Sequence, residues 1–132
     1  MVHMNTTKQE IQSVANKIKK IGGKKVKFII LYGSFVEEKQ TPLSDIDIAV
    51  YYDDSRQERF KFRMQLLGSF NDKFDIQIFQ DLPLYIQKEI ISSGKILYQK
   101  SHSEIFDIFF KTIKNFGDFK PRLDIYYSNL EA

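Results

Sequence analysis

Apolar positions recur along the chain with two different periods, which separate helices from strands. Spacings of three and four predict helices that begin at Thr7, Ser55, Pro83, Ser101 and Pro121. Alternating or short continuous apolar runs predict strands at residues 26–32, 45–52, 74–78 and 95–99, the last of them at a sheet edge. Thr7, Ser55 and Ser101 are each followed three residues later by glutamate, which is the pattern of a capping box.

The apolar faces of two helices follow from the same spacing. We expect a buried face made of Phe60, Met64 and Leu67 in the second helix, and of Ile105, Phe109, Ile113 and Phe116 in the fourth. The C-terminal part carries more aromatic side chains than one helix face can bury. We therefore expect part of this set to contact a partner chain or a second copy of this chain, namely Phe110, Phe119, Tyr126 and Tyr127.

The composition excludes several classes of protein. A chain of 132 residues that is 42% apolar is long enough for one domain with a genuine core. It contains no cysteine, which excludes disulfides, zinc–thiolate sites and thiol catalysis. The net charge of +3, from 20 basic and 17 acidic residues, is too balanced to indicate direct binding of nucleic acid. Since no apolar run could span a membrane and the N-terminus lacks a signal-peptide core, we expect a cytoplasmic protein.

Two aspartates interrupt the second predicted strand. Asp45 and Asp47 are one residue apart, so their side chains should point to the same face of the strand. Adjacent carboxylates raise each other's pKa unless a cation lies between them, and their hard oxygens suit Mg²⁺. Exposed carboxylates on an edge strand are the alternative interpretation. A third aspartate, Asp75, lies in the alternating run of the third strand and favours a site.

A glycine and a serine directly follow the first predicted strand. Gly33 suits a tight turn, since glycine tolerates unusual backbone dihedrals. If a helix begins at Ser34, its free N–H groups and the hydroxyl group would suit a phosphate. The sequence thus indicates a phosphate site and a metal site close together, which is what a nucleoside triphosphate with Mg²⁺ requires.

These residues resemble a known signature. Gly33-Ser34 followed after ten residues by Asp45-x-Asp47 is similar to the signature of the minimal nucleotidyltransferases, in the polymerase-β-like superfamily. Asp75 falls where that family places its third carboxylate. The resemblance covers roughly residues 7 to 100. It implies an α+β fold, with a small mixed sheet of three to four strands and helices packed on one side. Residues 1–100 would form the nucleotidyltransferase domain, and residues 101–132 a helical extension packed on it.

The resemblance also implies a reaction. An acceptor hydroxyl would attack the α-phosphate of a nucleoside triphosphate, with ATP expected, and release pyrophosphate. Asp45, Asp47 and Asp75 would be the catalytic residues and would hold two Mg²⁺ ions. Asp75 could also receive the proton of the acceptor. The nucleotide would be bound by Gly33, Ser34 and Ser44.

Family members commonly act as the antitoxin of a small helical HEPN-domain toxin, and some transfer AMP to a tyrosine of that partner. Three hypotheses follow: an adenylyltransferase antitoxin, an antitoxin that acts by binding alone, and an enzyme that modifies a small molecule such as an aminoglycoside. Three intact aspartates favour the first. Glu37 and Glu38 favour the second, because the family often has a basic residue and a glycine there. We expect no additional substrate domain, which is usual in the third class, and this expectation speaks against that class.

Overall fold

Four strands make up the sheet of this computed structural model, which describes residues 2–33 and 45–117. They are β1 (Val26–Tyr32), β2 (Ile46–Tyr52), β3 (Phe74–Ile78) and β4 (Lys95–Gln99), close to the predicted ranges. Their spatial order is β3-β2-β1-β4. β1 pairs antiparallel with both of its neighbours, whereas β2 pairs parallel with β3. The sheet is therefore mixed, and β4 is an edge strand as predicted.

Four helices surround the sheet within the described ranges: α1 (Val2–Gly22), α2 (Arg56–Leu67), α3 (Leu84–Ser93) and α4 (His102–Gly117). The predicted α+β class is confirmed, but one detail of it is wrong, because the helices cover both faces. α1 and α2 enclose one apolar core with the sheet, whereas α3 and α4 contribute to a second core on the opposite face. None of these helices is both long and apolar enough to cross a membrane.

The helix starts were predicted well where a side chain caps the backbone. The hydroxyl Oγ of Ser55 accepts a hydrogen bond from the Glu58 N–H at 3.2 Å. Ser101 Oγ accepts one from the Glu104 N–H, also at 3.2 Å. These bonds satisfy N–H groups that have no partner inside the helix. The prediction at Thr7 is wrong, since α1 already begins at Val2. The predicted helix at residue 121 lies outside the described residues.

The buried face of α2 differs from the predicted one. Phe60, Met64 and Leu67 are all exposed, and the helix instead buries Phe62 and Leu66. The sequence offers two apolar stripes on this helix, and packing decides between them. The ring of Phe62 stacks on that of Tyr52 in β2, with 3.9 Å between the ring centres. This contact orients α2 against the sheet and leaves the other stripe to solvent.

The buried face of α4 also passes along a neighbouring stripe. Ile105 is buried, and Phe109 packs edge-on against Phe28 of β1, with 5.7 Å between ring centres. Thr112 is buried and donates a hydrogen bond from Oγ1 to the Ile108 carbonyl oxygen at 2.8 Å. Ile113 was expected in this face, but it is 49% exposed. The prediction for Ile113 is therefore wrong, since residues 105, 108, 109 and 112 define the buried stripe.

A second stripe of α4 faces away from the sheet. Phe106, Phe110 and Ile113 are 66%, 60% and 49% exposed. The rings of Phe106 and Phe110 stack on each other, with 6.3 Å between their centres. The expectation that Phe110 is left free of the core is confirmed. The side chains of Phe116, Phe119, Tyr126 and Tyr127 lie outside the described residues.

The choice of stripe on α2 can be tested by a matched pair of substitutions. Phe62→Ala should lower the free energy of unfolding by about 3–5 kcal/mol, because it removes a buried ring from the core. Phe60→Ala should change that free energy by no more than about 0.5 kcal/mol, because its ring is solvated. Urea unfolding of both variants would measure this. Equal losses would mean that both stripes are buried.

Candidate active site

The parallel pairing of β2 with β3 brings two of the predicted aspartates together. Asp47 of β2 lies directly opposite Asp75 of β3 in the register of the two strands. Neighbours in register point to the same face of a sheet, so the two carboxyl groups lie side by side. This face is the one that carries Ala49 and the second core, beneath α3 and α4.

The turn after β1 comes close to the same pair. Tyr32, the last residue of β1, is opposite Asp47 in the antiparallel register. Gly33 follows with a φ angle of +80°, a conformation that disfavours any residue with a side chain. A Cβ atom at this position would collide with Oδ2 of Asp47. The glycine is therefore required both for its backbone conformation and for the close approach of the Asp47 carboxylate.

Within the described residues, the negative charges at this site have no cationic partner in an ion pair. The pKa of Asp47 is raised to about 6, first by burial and then by the negative charges of Asp75 and Asp45. A hydrogen bond with Asp75 and the charge of Glu89 act in the same direction. Burial and the charges of Asp47, Asp75 and Glu89 likewise raise the pKa of Tyr32 above its ordinary range. The surroundings of Asp47 and Tyr32 thus favour their protonated forms more than solvent does, and a positive charge entering the site would reverse this effect.

Asp45 lies immediately before β2 and is exposed, whereas Asp47 is partly buried. Its charge contributes to the raised pKa of Asp47, so it belongs to the same electrostatic cluster. Across residues 2–33 and 45–117, no three carboxylate or imidazole groups are placed as a ready-formed metal site. The cluster as it stands is a close pair, Asp47 and Asp75, with Asp45 at its edge.

Three residues at this site carried no clear signal in the sequence. Gln77 donates a hydrogen bond from Nε2 to Oδ1 of Asp75 at 2.9 Å and so fixes the orientation of that carboxylate. Its position two residues after Asp75 placed it on the same face, but an amide there is unremarkable on its own. Tyr32 appeared only as the end of a strand. Glu89 of α3 comes from a distant part of the sequence, and only the fold brings its charge near Asp47.

The other predicted nucleotide-binding residues cannot be placed in the same way. Ser34 and Ser44 lie outside the described residues, and so do Glu37 and Glu38. Of the predicted set, the structure brings together Gly33, Asp47 and Asp75, with Asp45 beside them.

Comparisons with known proteins identify the family of this chain. The family described as "Polymerase beta, Nucleotidyltransferase" matches residues 10–103. A protein of Methanocaldococcus jannaschii is 36% identical over 99 residues, which cover 75% of this chain and 76% of the relative. Its name, which was assigned by inference, describes it as a protein adenylyltransferase.

Solved structures of toxin–antitoxin complexes share the fold. A chain of a toxin–antitoxin complex with AMP-PNP has a TM-score of 0.67 and 20% identity, over 92% of this chain and 98% of that one. A chain from the complex of a tri-AMPylated Shewanella oneidensis HEPN toxin with its MNT antitoxin has a TM-score of 0.63 and 19% identity, over 94% of this chain and 98% of that one.

The raised pKa of Asp47 predicts a dependence of stability on pH. The folded state holds a proton on Asp47 up to about pH 6, whereas an unfolded aspartate loses its proton near pH 4. The folded protein therefore binds more protons within this window, and its stability should fall as the pH rises through it.

Asp47→Asn should remove that loss. At pH 8 the variant should be more stable than the parent by about 1–2 kcal/mol, a value reduced for partial solvent access, and near pH 4 the two should be alike. Asp72→Asn, at an exposed aspartate in the turn before β3, is the matched control and should show no such gain. Urea unfolding at the two pH values measures the difference. A parent no less stable at pH 8 than its Asp47→Asn variant would contradict the proposed electrostatic strain.

Proposed function

The chain belongs to the polymerase beta nucleotidyltransferase family, and from this premise we propose that it transfers AMP from ATP to a hydroxyl group of a partner protein. The observation that carries the proposal is the close pair Asp47 and Asp75, held against Gly33 at the end of β1. The relative named as a protein adenylyltransferase supports the choice of AMP and of a protein acceptor.

The donor set of the site fits Mg²⁺. Asp45, Asp47 and Asp75 offer hard carboxylate oxygens, and the raised pKa of Asp47 reflects repulsion and burial that a divalent cation would offset. We propose that these three residues hold two Mg²⁺ ions. Bound Mg²⁺ would neutralise phosphate charge and lower the pKa of the attacking hydroxyl. Since like charges are already assembled on rigid strands, little rearrangement is needed when the cations arrive.

The protein's own residues then have separate tasks. Asp75, oriented by Gln77, is the acceptor for the proton that leaves the attacking hydroxyl. A bond forms between that hydroxyl oxygen and the α-phosphorus, and the bond from this phosphorus to the bridging oxygen breaks, so pyrophosphate leaves. Gly33 lets the chain turn close to the Asp47 carboxylate. Ser34 and Ser44 are proposed to bind the phosphate groups.

We propose that the partner is a small helical HEPN-domain toxin and that this chain is its antitoxin. Chains with the same fold occur in complexes of such pairs. The exposed stripe of α4, made of Phe106, Phe110 and Ile113, supplies an apolar surface of the kind that protein partners cover. Exposed Ile96 of β4 and a cavity of about 540 Å³ between β4 and α4 extend this docking surface.

The same surface gives weight to a second function. An antitoxin that neutralises its partner by contact alone would need this docking surface but not the aspartates. A second copy of this chain is another occupant that would cover it.

Transfer of label from ATP tests the enzymatic proposal. The parent protein, incubated with its HEPN partner, Mg²⁺ and ATP labelled at the α-phosphate, should label the partner. The double variant Asp45→Asn, Asp47→Asn should lose at least about a hundredfold in rate, because the metal-binding charge is removed. Asp72→Asn is the control and should retain full transfer.

Thermal stability tests binding of the nucleotide separately. Mg-ATP should raise the Tm of the parent, since a ligand of the folded state stabilises it, and the double variant should show no rise. If that variant responds like the parent, the aspartates do not hold the nucleotide. A parent that binds Mg-ATP and its partner without labelling it would favour the contact-only antitoxin.

The docking surface on α4 predicts a loss of association. Phe110→Ser should weaken binding of the HEPN partner by about 2 kcal/mol if Phe110 is a central anchor. It should leave the Tm of the isolated chain almost unchanged, because the ring is 60% exposed. Met64→Ser, at a similarly exposed residue of α2, is the control. Calorimetric titration measures the affinity, and sedimentation of the isolated chain shows whether a second copy uses this surface instead.

A further inference from the structure

A basic groove lies along the sheet edge opposite the α4 docking surface. Arg56, Arg59 and Arg63 are spaced three and four residues apart on α2, so they share one side of that helix. They border a cavity of about 210 Å³ beside β3. The rest of its lining is formed by Phe60, Gln77, Ile78 and Asp81.

The arginines in this groove differ in how far the protein already satisfies them. Arg59 is engaged by Asp81 through two bonds, Nη2 to Oδ1 at 2.8 Å and Nε to Oδ2 at 3.2 Å. Arg63 donates from Nε to the Ile76 carbonyl oxygen at 3.2 Å, which covers one outward-facing carbonyl of the edge strand β3. Within residues 2–33 and 45–117, its Nη groups form no hydrogen bond with another side chain or carbonyl group.

Arg56 is exposed, and in the described part of the chain no carboxylate forms an ion pair with Arg56 or Arg63. With Arg59 balanced by Asp81, the groove keeps two positive charges that no described carboxylate pairs. A guanidinium group presents paired N–H donors that match a carboxylate or a phosphate. The groove therefore suits an anionic ligand.

One side chain belongs to both the groove and the candidate active site. Gln77 lines the groove and at the same time donates its hydrogen bond to Asp75. Two residues along a strand span about 7 Å, so the groove begins within that distance of the proposed proton acceptor. The groove lies on the side of the site that carries Asp75. Gly33, which is proposed to bind the nucleotide, lies on the opposite side of Asp47. A ligand in the groove would thus approach from the side of the acceptor.

The shape and polarity of the groove favour a peptide. A cavity of about 210 Å³ holds a few side chains, not a stretch of nucleic acid. Its rim carries the ring of Phe60, which is 63% exposed, next to the free guanidinium groups. An acidic peptide segment with an apolar side chain would satisfy both features, because its carboxylates pair with arginine and its apolar group covers the ring.

We propose that the groove of Arg56, Phe60 and Arg63 binds an acidic segment of the partner protein and thereby delivers the acceptor hydroxyl to Asp75. This rests on the proposed function, in that the acceptor is a residue of a protein. Given the rise of about 3.3 Å per residue in an extended peptide, the acidic residues should lie about two to four positions from the modified one. Arg56 and Arg63 are then positioning residues for the acceptor.

Charge reversal at Arg56 tests the proposal. Arg56→Glu should raise the KM for the HEPN partner in the AMP-transfer assay by about tenfold at low salt, and less at high salt, where the charges are screened. The rise in Tm caused by Mg-ATP should be retained. Lys61→Glu makes the same change of charge on an exposed residue of α2 outside the groove and should leave the KM unchanged. Equal effects of both variants would overturn the proposal, as would loss of Mg-ATP binding in Arg56→Glu.

A direct binding measurement separates this inference from the proposed function. A fluorescent peptide of three glutamates, a phenylalanine and three further glutamates should bind the parent and bind Arg56→Glu at least about fivefold more weakly. Phe60→Ser should also weaken it, with Met64→Ser as control. This result is independent of AMP transfer, so a parent that binds the peptide without labelling a partner would refute only the enzymatic proposal. Tighter binding of a hexauridylate oligonucleotide than of the peptide, reduced by Arg56→Glu, would assign the groove to nucleic acid and overturn the inference.

Discussion

The parallel pairing of β2 with β3 is the constraint on which the candidate site depends. It places Asp47 and Asp75 side by side on one face, at the end of the sheet where β1 turns at Gly33. Two negative charges at this separation oppose folding, and partial burial increases the cost. The first core compensates for it, because each strand that carries a carboxylate also buries isoleucine or valine side chains on the opposite face.

The arrangement resembles that of other sites at which stability is given up for function. The strands hold the carboxylates in place in the protein alone, so the energetic cost of assembling the charge is met during folding. Gln77 and Tyr32 lie beside the two carboxylates and do not neutralise their charge. Gln77 donates a hydrogen bond to Asp75, and Tyr32 lies opposite Asp47. Among the described residues, no lysine or arginine forms an ion pair with Asp47 or Asp75.

The sequence predicts strands and helix starts correctly where these depend on residues close together in the chain. The strands follow alternating or short continuous apolar runs. Ser55 and Ser101 cap their helices because a hydroxyl at that position satisfies a free N–H group. The aspartate pair could be predicted because carboxylates are costly in an apolar strand. The predictions are wrong where either of two apolar stripes on a helix could form its buried face. α2 and α4 each carry two apolar stripes, and contacts of Phe62 and Phe109 with the sheet choose between them. Glu89 could not be found, since only the packing of α3 brings it near the site.

The sheet order has a consequence for how such a protein can change over time. The docking surface lies at the β4 edge and the basic groove at the β3 edge, which three strand spacings separate by about 14 Å. Residues at one edge do not contact those at the other, so substitutions there should act on affinity and on acceptor choice almost independently. Under the proposed function, such a protein could therefore lose AMP transfer during evolution and still bind its partner. It could also change which residue of the partner it modifies while the docking surface stays the same.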